Sequence, residues 1–154
     1  MLRRAIAAAA RARAAGNHPF GAVLVAANGE LLLEGENTVL TERDCTGHAE
    51  LNLVRQASRR FDRTVLATCT LVSSTEPCAM CAGAIFWSGI PRVVFGLEGR
   101  RLREFAAPGS AASFLEINSR EVFRGASHSV TVVGPLLEEE ASAVHRGFWT
   151  AGVS

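Results

Sequence analysis

Apolar residues first recur along the chain at helical spacing. Leu2, Ile6, Ala9 and Ala10 fall in an alanine-rich run that Gly16-Asn17 stops, and alanine has the highest helix propensity, so the pattern predicts a helix ending near Ala15. From Phe20 the pattern changes. Two apolar runs, 20–26 and 30–38, flank Asn28-Gly29, a dipeptide that favours a tight hairpin, and they predict antiparallel strands with Asn37 closing the second. The polar stretch 41–47 leads into a helix over 48–60, with Thr46 as its cap and Leu51, Val54 and Ala57 toward the core. A buried third strand is expected over 66–73, with Cys69 packed in it as a small hydrophobe. Pro77 precedes a helix over 78–88, Gly89 and Pro91 end it, and 92–96 forms a fourth strand. The span 97–125 reads as a loop with helical turns near 102–105 and 114–117, followed by a fifth strand at 130–133 and a last helix over 136–149. Two hairpin strands followed by strand-helix alternation predict an α/β fold, a three-layer α/β/α arrangement with a five-stranded mixed sheet in one domain over 1–154.

Composition narrows the function. With 154 residues, 48% of them hydrophobic, and a mean hydropathy of +0.17, the chain has enough apolar material for one substantial core. The net charge of +1 and pI near 7.8 supply no global basic field of the kind that attracts phosphates, so a nucleic-acid partner is not expected. Arg11 and Arg13 interrupt the alanine-rich opening, which therefore lacks the continuous apolar core of a signal peptide, and no run approaches a membrane span. Two of the four cysteines stand at metal-ligand spacing, which fits a reducing compartment; a cytoplasmic protein is expected.

The chemistry concentrates in two stretches, His48-Ala49-Glu50 and Pro77-Cys78-Ala79-Met80-Cys81. Zn²⁺ takes imidazole nitrogen and thiolate sulfur in a tetrahedron, so His48, Cys78 and Cys81 supply three ligands, and a catalytic zinc keeps its fourth position open for water. Glu50, two residues past a ligand on a first helical turn, can reach toward that position. Cys45 is the alternative fourth ligand of a closed structural site. One cysteine loop plus a carboxylate beside a lone histidine favours the open arrangement.

These stretches, with NHPFGAVLV, GEN, TGHAE and STEPCAMCAGAIFWSGIPRVVFG around them, resemble the cytidine-deaminase-like superfamily, in the branch of guanine, cytosine and tRNA adenosine deaminases. The resemblance implies hydrolytic deamination of a free amino-substituted nucleobase, with Zn²⁺ activating water and Glu50 carrying protons. Guanine or a related aminopurine comes first, cytosine or an aza-analogue such as a triazine second, and tRNA adenosine or a nucleoside is the alternative. A homodimer is implied as well. A noncatalytic zinc module and an RNA-binding subunit are the competing classes; the complete ligand set with Glu50 argues against the first. The second needs positive charge, and Glu138-Glu139-Glu140 with only Arg146 after them provide little.

Asn37 offers a donor and an acceptor to a planar heterocycle, and by resemblance it binds substrate, against a solvent-exposed asparagine at a strand end; the backbone amide of Ala49, between ligand and acid, is a second candidate contact. Phe20 and Trp87 are candidate pocket walls, with ordinary core packing as the alternative. By resemblance, Phe148 and Trp149 form a C-terminal lid over a free base, against a simple hydrophobic anchor for the terminus. Glu104 is by resemblance a second proton carrier for a purine, against a solvated glutamate beside Arg103.

Overall fold

The computed structural model describes residues 1–105 and 115–149. Helix α1 (Leu2–Ala14) leads to the hairpin strands β1 (Gly21–Val25) and β2 (Leu31–Glu36), a short α2 (Val39–Glu42), then α3 (Ala49–Arg60) and α4 (Arg63–Leu66). Strand β3 (Thr70–Thr75), α5 (Ala79–Ser88) and β4 (Arg92–Leu97) follow, then α6 (Gly99–Leu102), a 3₁₀ turn (Arg103–Phe105), α7 (Ser119–Arg124), β5 (Thr131–Val133) and α8 (Glu138–Ala143). The sheet has five strands in the order β2-β1-β3-β4-β5. β1 runs antiparallel to β2 and β3, while β3, β4 and β5 are parallel. The expected mixed α/β architecture is therefore present.

Side chains alternate across the pleat and sort the sheet into two faces. Ala22, Leu24, Leu71 and Val93 pack with Ala49, Leu53, Ala57 and Ile85 from α3 and α5, and Phe123 of α7 joins them. Val23, Val25 and Val72 point the other way, against Leu2 and Ala5 of α1. Here α8 also packs, on β4. The cores on the two faces make the three layers.

Several boundaries depart from the sequence reading. The third strand begins at Thr70 because Val65, Leu66 and Ala67 close a helical turn on Asp62 and Arg63, and Thr68 and Cys69 both bond the Val65 carbonyl. Those backbone and side-chain bonds remove the stretch from the ladder. Cys69 itself is buried. Thr46 does not cap α3; His48 occupies the N-cap, and Thr46 donates to Asp44 Oδ1 at 2.7 Å. Leu53, rather than Leu51, is fully buried on that helix. The last helix stops at Ala143, since Arg13 Nη1 takes the carbonyls of Val144 and Arg146 at 2.7 and 2.9 Å and Gly147 turns left-handed at φ 67°. In the expected loop, α7 is capped by Asn118, which accepts from Glu121 N while Glu121 returns a bond to Asn118 N. That Asn-x-x-Glu spacing was readable in the sequence.

One glycine fixes the distance between the sheet and the helix that carries His48 and Glu50. A Cβ at Gly35 of β2 would lie 2.5 Å from the Ala49 carbonyl oxygen, a backbone atom that can yield only if α3 moves. Gly35→Ala is therefore expected to destabilise the fold by about 1–3 kcal/mol, in the range of overpacked cores. Denaturant unfolding with unchanged m-value checks this, and an unchanged midpoint would show that α3 is not seated as tightly as described.

Candidate active site

Both ligand-bearing stretches begin helices. His48 is the N-cap of α3 and Cys78 the N-cap of α5, with Cys81 in the first turn of α5. The two helix N-termini converge beside the carboxyl end of β3, and their partial positive charge favours anionic sulfur. His48 Nδ1 lies 3.6 Å from Cys78 Sγ and 3.5 Å from Cys81 Sγ, and all three donor atoms lie within 4.8 Å of one another. Zinc bonds of about 2.3 Å to sulfur and 2.0–2.1 Å to nitrogen, at a tetrahedral angle, separate S and N by about 3.6 Å. The donor set thus already has the spacing of a zinc site. Cys45 is exposed and outside this group.

Charge supports the fit. The Cys81 thiol donates toward Cys78, and that bond, helped by His48, pulls Cys78 down to about 4. The same bond and burial push Cys81 up, so without a cation the pair retains one proton. The bond to Cys78 raises His48. A divalent cation relieves this arrangement by making both sulfurs anionic and the imidazole neutral, the forms that ligate.

Glu50 is 5% exposed. Burial raises its carboxyl above the usual range, opposed by the Ser73 hydroxyl, which donates to Oε1 at 2.7 Å. The Cys81 thiol lies 3.5 Å from Oε2. The carboxylate is thus held beside the ligand trio, with its proton affinity raised by burial. A group so placed can both accept and donate protons.

A cleft of about 300 Å³ opens over His48, Glu50 and Cys78, where β3 and β4 leave the sheet, the position at which parallel sheets commonly bind ligands. Phe20 and Trp149 line it. So do Glu98, Arg100, Arg103, Glu116 and Asn118 on its outer side. Asn37 is 1% exposed; Oδ1 accepts from Val39 N at 3.1 Å, and Nδ2 has no partner among the described residues. Ala49 is buried at the start of α3.

Of the sequence candidates, Asn37, Ala49, Trp87, Glu104 and Phe148 are not among the residues that line the cleft. Trp87 is 76% exposed and does not line the cleft. It follows Cys81 by six positions, about 240° round the helix, on the flank away from the ligand. Glu104 is exposed and also lies outside the lining; its neighbour Arg103 turns in and pairs with Glu116. Phe148 lies under the Arg13 guanidinium and edge-on to His18, as an anchor does, while Trp149 reaches the cleft.

Other residues were not singled out. Glu76 lines the cleft and accepts from Gly99 N at 3.2 Å, Ser119 N at 3.3 Å and Ser119 Oγ at 2.8 Å, fastening both ends of the outer wall. Its position next to Pro77 was the available signal. Ser73 and Thr75 gave none beyond strand alternation. His145, seventy residues from Thr75, gave none at all. It is fully buried, and the Trp149 indole N–H donates to its Nδ1 at 3.3 Å. Because indole is only a donor, the neutral ring carries its proton on Nε2, 3.3 Å from Thr75 Oγ1.

The fold and the ligand trio together define a zinc-site α/β protein of the hydrolytic deaminase class. The chain belongs to the cytidine and deoxycytidylate deaminase family, whose zinc-binding region matches residues 1–97. A Schizosaccharomyces pombe protein named probable cytosine deaminase is 44% identical over 151 residues, 98% of this chain and 91% of the relative. The tRNA-specific adenosine deaminase of Haemophilus influenzae is 35% identical over 92% of this chain and 77% of its own. The X-ray structure of guanine deaminase from Bacillus subtilis superposes with a TM-score of 0.59 at 38% identity, covering 67% of this chain and 66% of that one. Among the described residues no helix is long and apolar enough to cross a membrane.

Burial, with the nearby Arg13 charge, pushes His145 down to about 4 from 6.5. Between those values the unfolded chain binds a proton that the folded chain refuses, so stability is present above about 6.5 and falls as pH drops toward 4. The His145 share of that loss is expected to be about 3 kcal/mol. Urea unfolding of wild type and His145→Phe across this window isolates it: the variant's pH dependence should be flatter, and parallel curves would contradict the assignment.

Proposed function

We propose that the protein hydrolytically deaminates a free amino-substituted nucleobase, with a cytosine-type pyrimidine first and guanine second. The observation that carries this reading is the buried, Ser73-held Glu50 beside the His48, Cys78 and Cys81 trio at the floor of an aromatic-walled cleft. Zinc, held by those three residues, supplies the Lewis acidity that makes water a usable nucleophile at neutral pH. Glu50 takes the proton that water gives up and passes it to a ring nitrogen. Once the new C–O bond has formed at the amine-bearing carbon, Glu50 takes the proton of the resulting hydroxyl and delivers it to the amine; the C–N bond breaks, the oxygen becomes a carbonyl and ammonia leaves. The unpartnered Asn37 Nδ2 offers its hydrogen to an acceptor on the ring, since a buried donor left unpaired costs about 1–3 kcal/mol until a ligand satisfies it. Phe20 and Trp149 supply flat walls for the heterocycle.

The order of substrates rests on two points. Similarity to the probable cytosine deaminase covers 98% of the chain and so takes in the outer wall as well as the metal site. The purine reading invoked Glu104, which is exposed and is not among the residues that line the cleft. Against a polynucleotide, the net charge is only +1, and Arg3, Arg4, Arg11, Arg101, Arg103 and Arg146 are paired with glutamates, so no net basic field draws phosphates to the surface.

Ammonia release should be found with cytosine above guanine, adenine, aminotriazines, the nucleosides and tRNA. Turnover of tRNA or a nucleoside alone would overturn the free-base reading. Glu50→Gln should keep about one zinc per chain and lose at least ~10²-fold in kcat, the usual contribution of a positioned proton carrier. The expected homodimer belongs to the same proposal and would cover the exposed Trp87. Sedimentation velocity giving only a monomer mass at micromolar protein would remove it.

A further inference from the structure

His145 is a fully buried histidine that neither ligates metal nor moves protons in the proposed reaction, yet both of its ring nitrogens are engaged by residues that line the cleft. One is Thr75, three residues before the ligand Cys78. The other is Trp149, whose single N–H is spent on Nδ1. Trp149 lies parallel to the His145 ring (12° between planes), stacks on His18 at 5.3 Å and tilts against Phe20 at 5.9 Å.

The segment that carries Trp149 has a fixed base and one permissive joint. Arg13 of α1 holds the carbonyls of Val144 and Arg146, and past that anchor Gly147 adopts φ 67° with nothing within 4 Å of where a Cβ would sit. We propose that His145 is a positioning residue that latches Trp149 across the cleft wall, with Gly147 as the hinge. The latch runs from the indole through the imidazole to Thr75, so the wall that receives a flat ligand is registered to the same strand that delivers Cys78. Breaking it frees the indole to leave the wall without disturbing the metal ligands. The consequence for substrate rests on reading the cleft as a nucleobase site; the latch itself does not.

Two tryptophans make this testable. Trp87→Phe leaves Trp149 as the sole fluorophore, and Trp87 lies outside the cleft lining. In that background the indole should be shielded from acrylamide, and adding His145→Phe should raise its quenching constant several-fold. The lost hydrogen bond is expected to raise KM for the base about tenfold with kcat changed less than ~2-fold, because ground-state and transition-state binding lose the same wall. His145→Asn, which keeps an acceptor near the Nδ1 position, should restore most of the shielding. Should the phenylalanine variant not fold, His145→Gln keeps a donor for Thr75 but no acceptor at Nδ1, and the same unshielding is expected. Unchanged quenching and unchanged KM in the variant that lacks the acceptor overturn the latch. Unshielding without turnover of any base supports the latch and counts only against the substrate reading.

Discussion

Two sulfurs and an imidazole nitrogen packed at contact distance form a cluster that prefers a dication. His48 Nδ1 sits 3.5 and 3.6 Å from the two cysteine sulfurs, and without a cation Cys78 and Cys81 hold a proton between them. Much of the surrounding chain serves to bring those atoms together. The hairpin and α3 deliver the imidazole, and β3 and α5 deliver the sulfurs. The two helix starts meet because α3 and α5 share one face of the sheet, packed through Leu53, Ala57, Ala82 and Ile85. Glu50 benefits from the same packing. Its burial makes it a stronger base than an exposed glutamate, and Ser73, pointing to that face by strand alternation, keeps it ionisable.

Short-range spacing was the legible part of the sequence. The ligands and Glu50 lie within a few residues of one another in two runs, so local geometry places them on helix starts whatever the remaining chain does. The hairpin was equally local: Asn28-Gly29 closes it with Gly29 at φ 85°. What failed depended on rotation or on distance. Trp87 belongs to a correctly expected helix but lies on its outward flank, and the loop turned Arg103 inward where Glu104 was expected. The third strand slid because Thr68 and Cys69 found a local acceptor in the Val65 carbonyl, a competition that apolar content does not reveal. His145 meets Thr75 only after α8 crosses back over β4, a contact with no sequence period.

The cleft therefore has two sides of different origin. Its floor is built from strand ends and helix starts, rigid because each is hydrogen-bonded within its element. The walls are borrowed from segments far along the chain: Trp149 from the C-terminal turn, Arg103 and Glu116 from the stretch between β4 and α7. The ligand trio and Glu50 belong to the floor, while the walls supply Trp149, Arg103 and Glu116.

The Glu76 carboxylate separates these two sides mechanically. By holding the amide of Gly99 with one oxygen and the amide and hydroxyl of Ser119 with the other, it pins the start and finish of everything between them to the residue beside the cysteine loop. A closed loop of this kind changes length cheaply, since doubling it costs only about 0.6 kcal/mol of closure entropy. A change of length between Gly99 and Ser119 would therefore leave both of those residues fastened beside the cysteine loop, because a single carboxylate holds them.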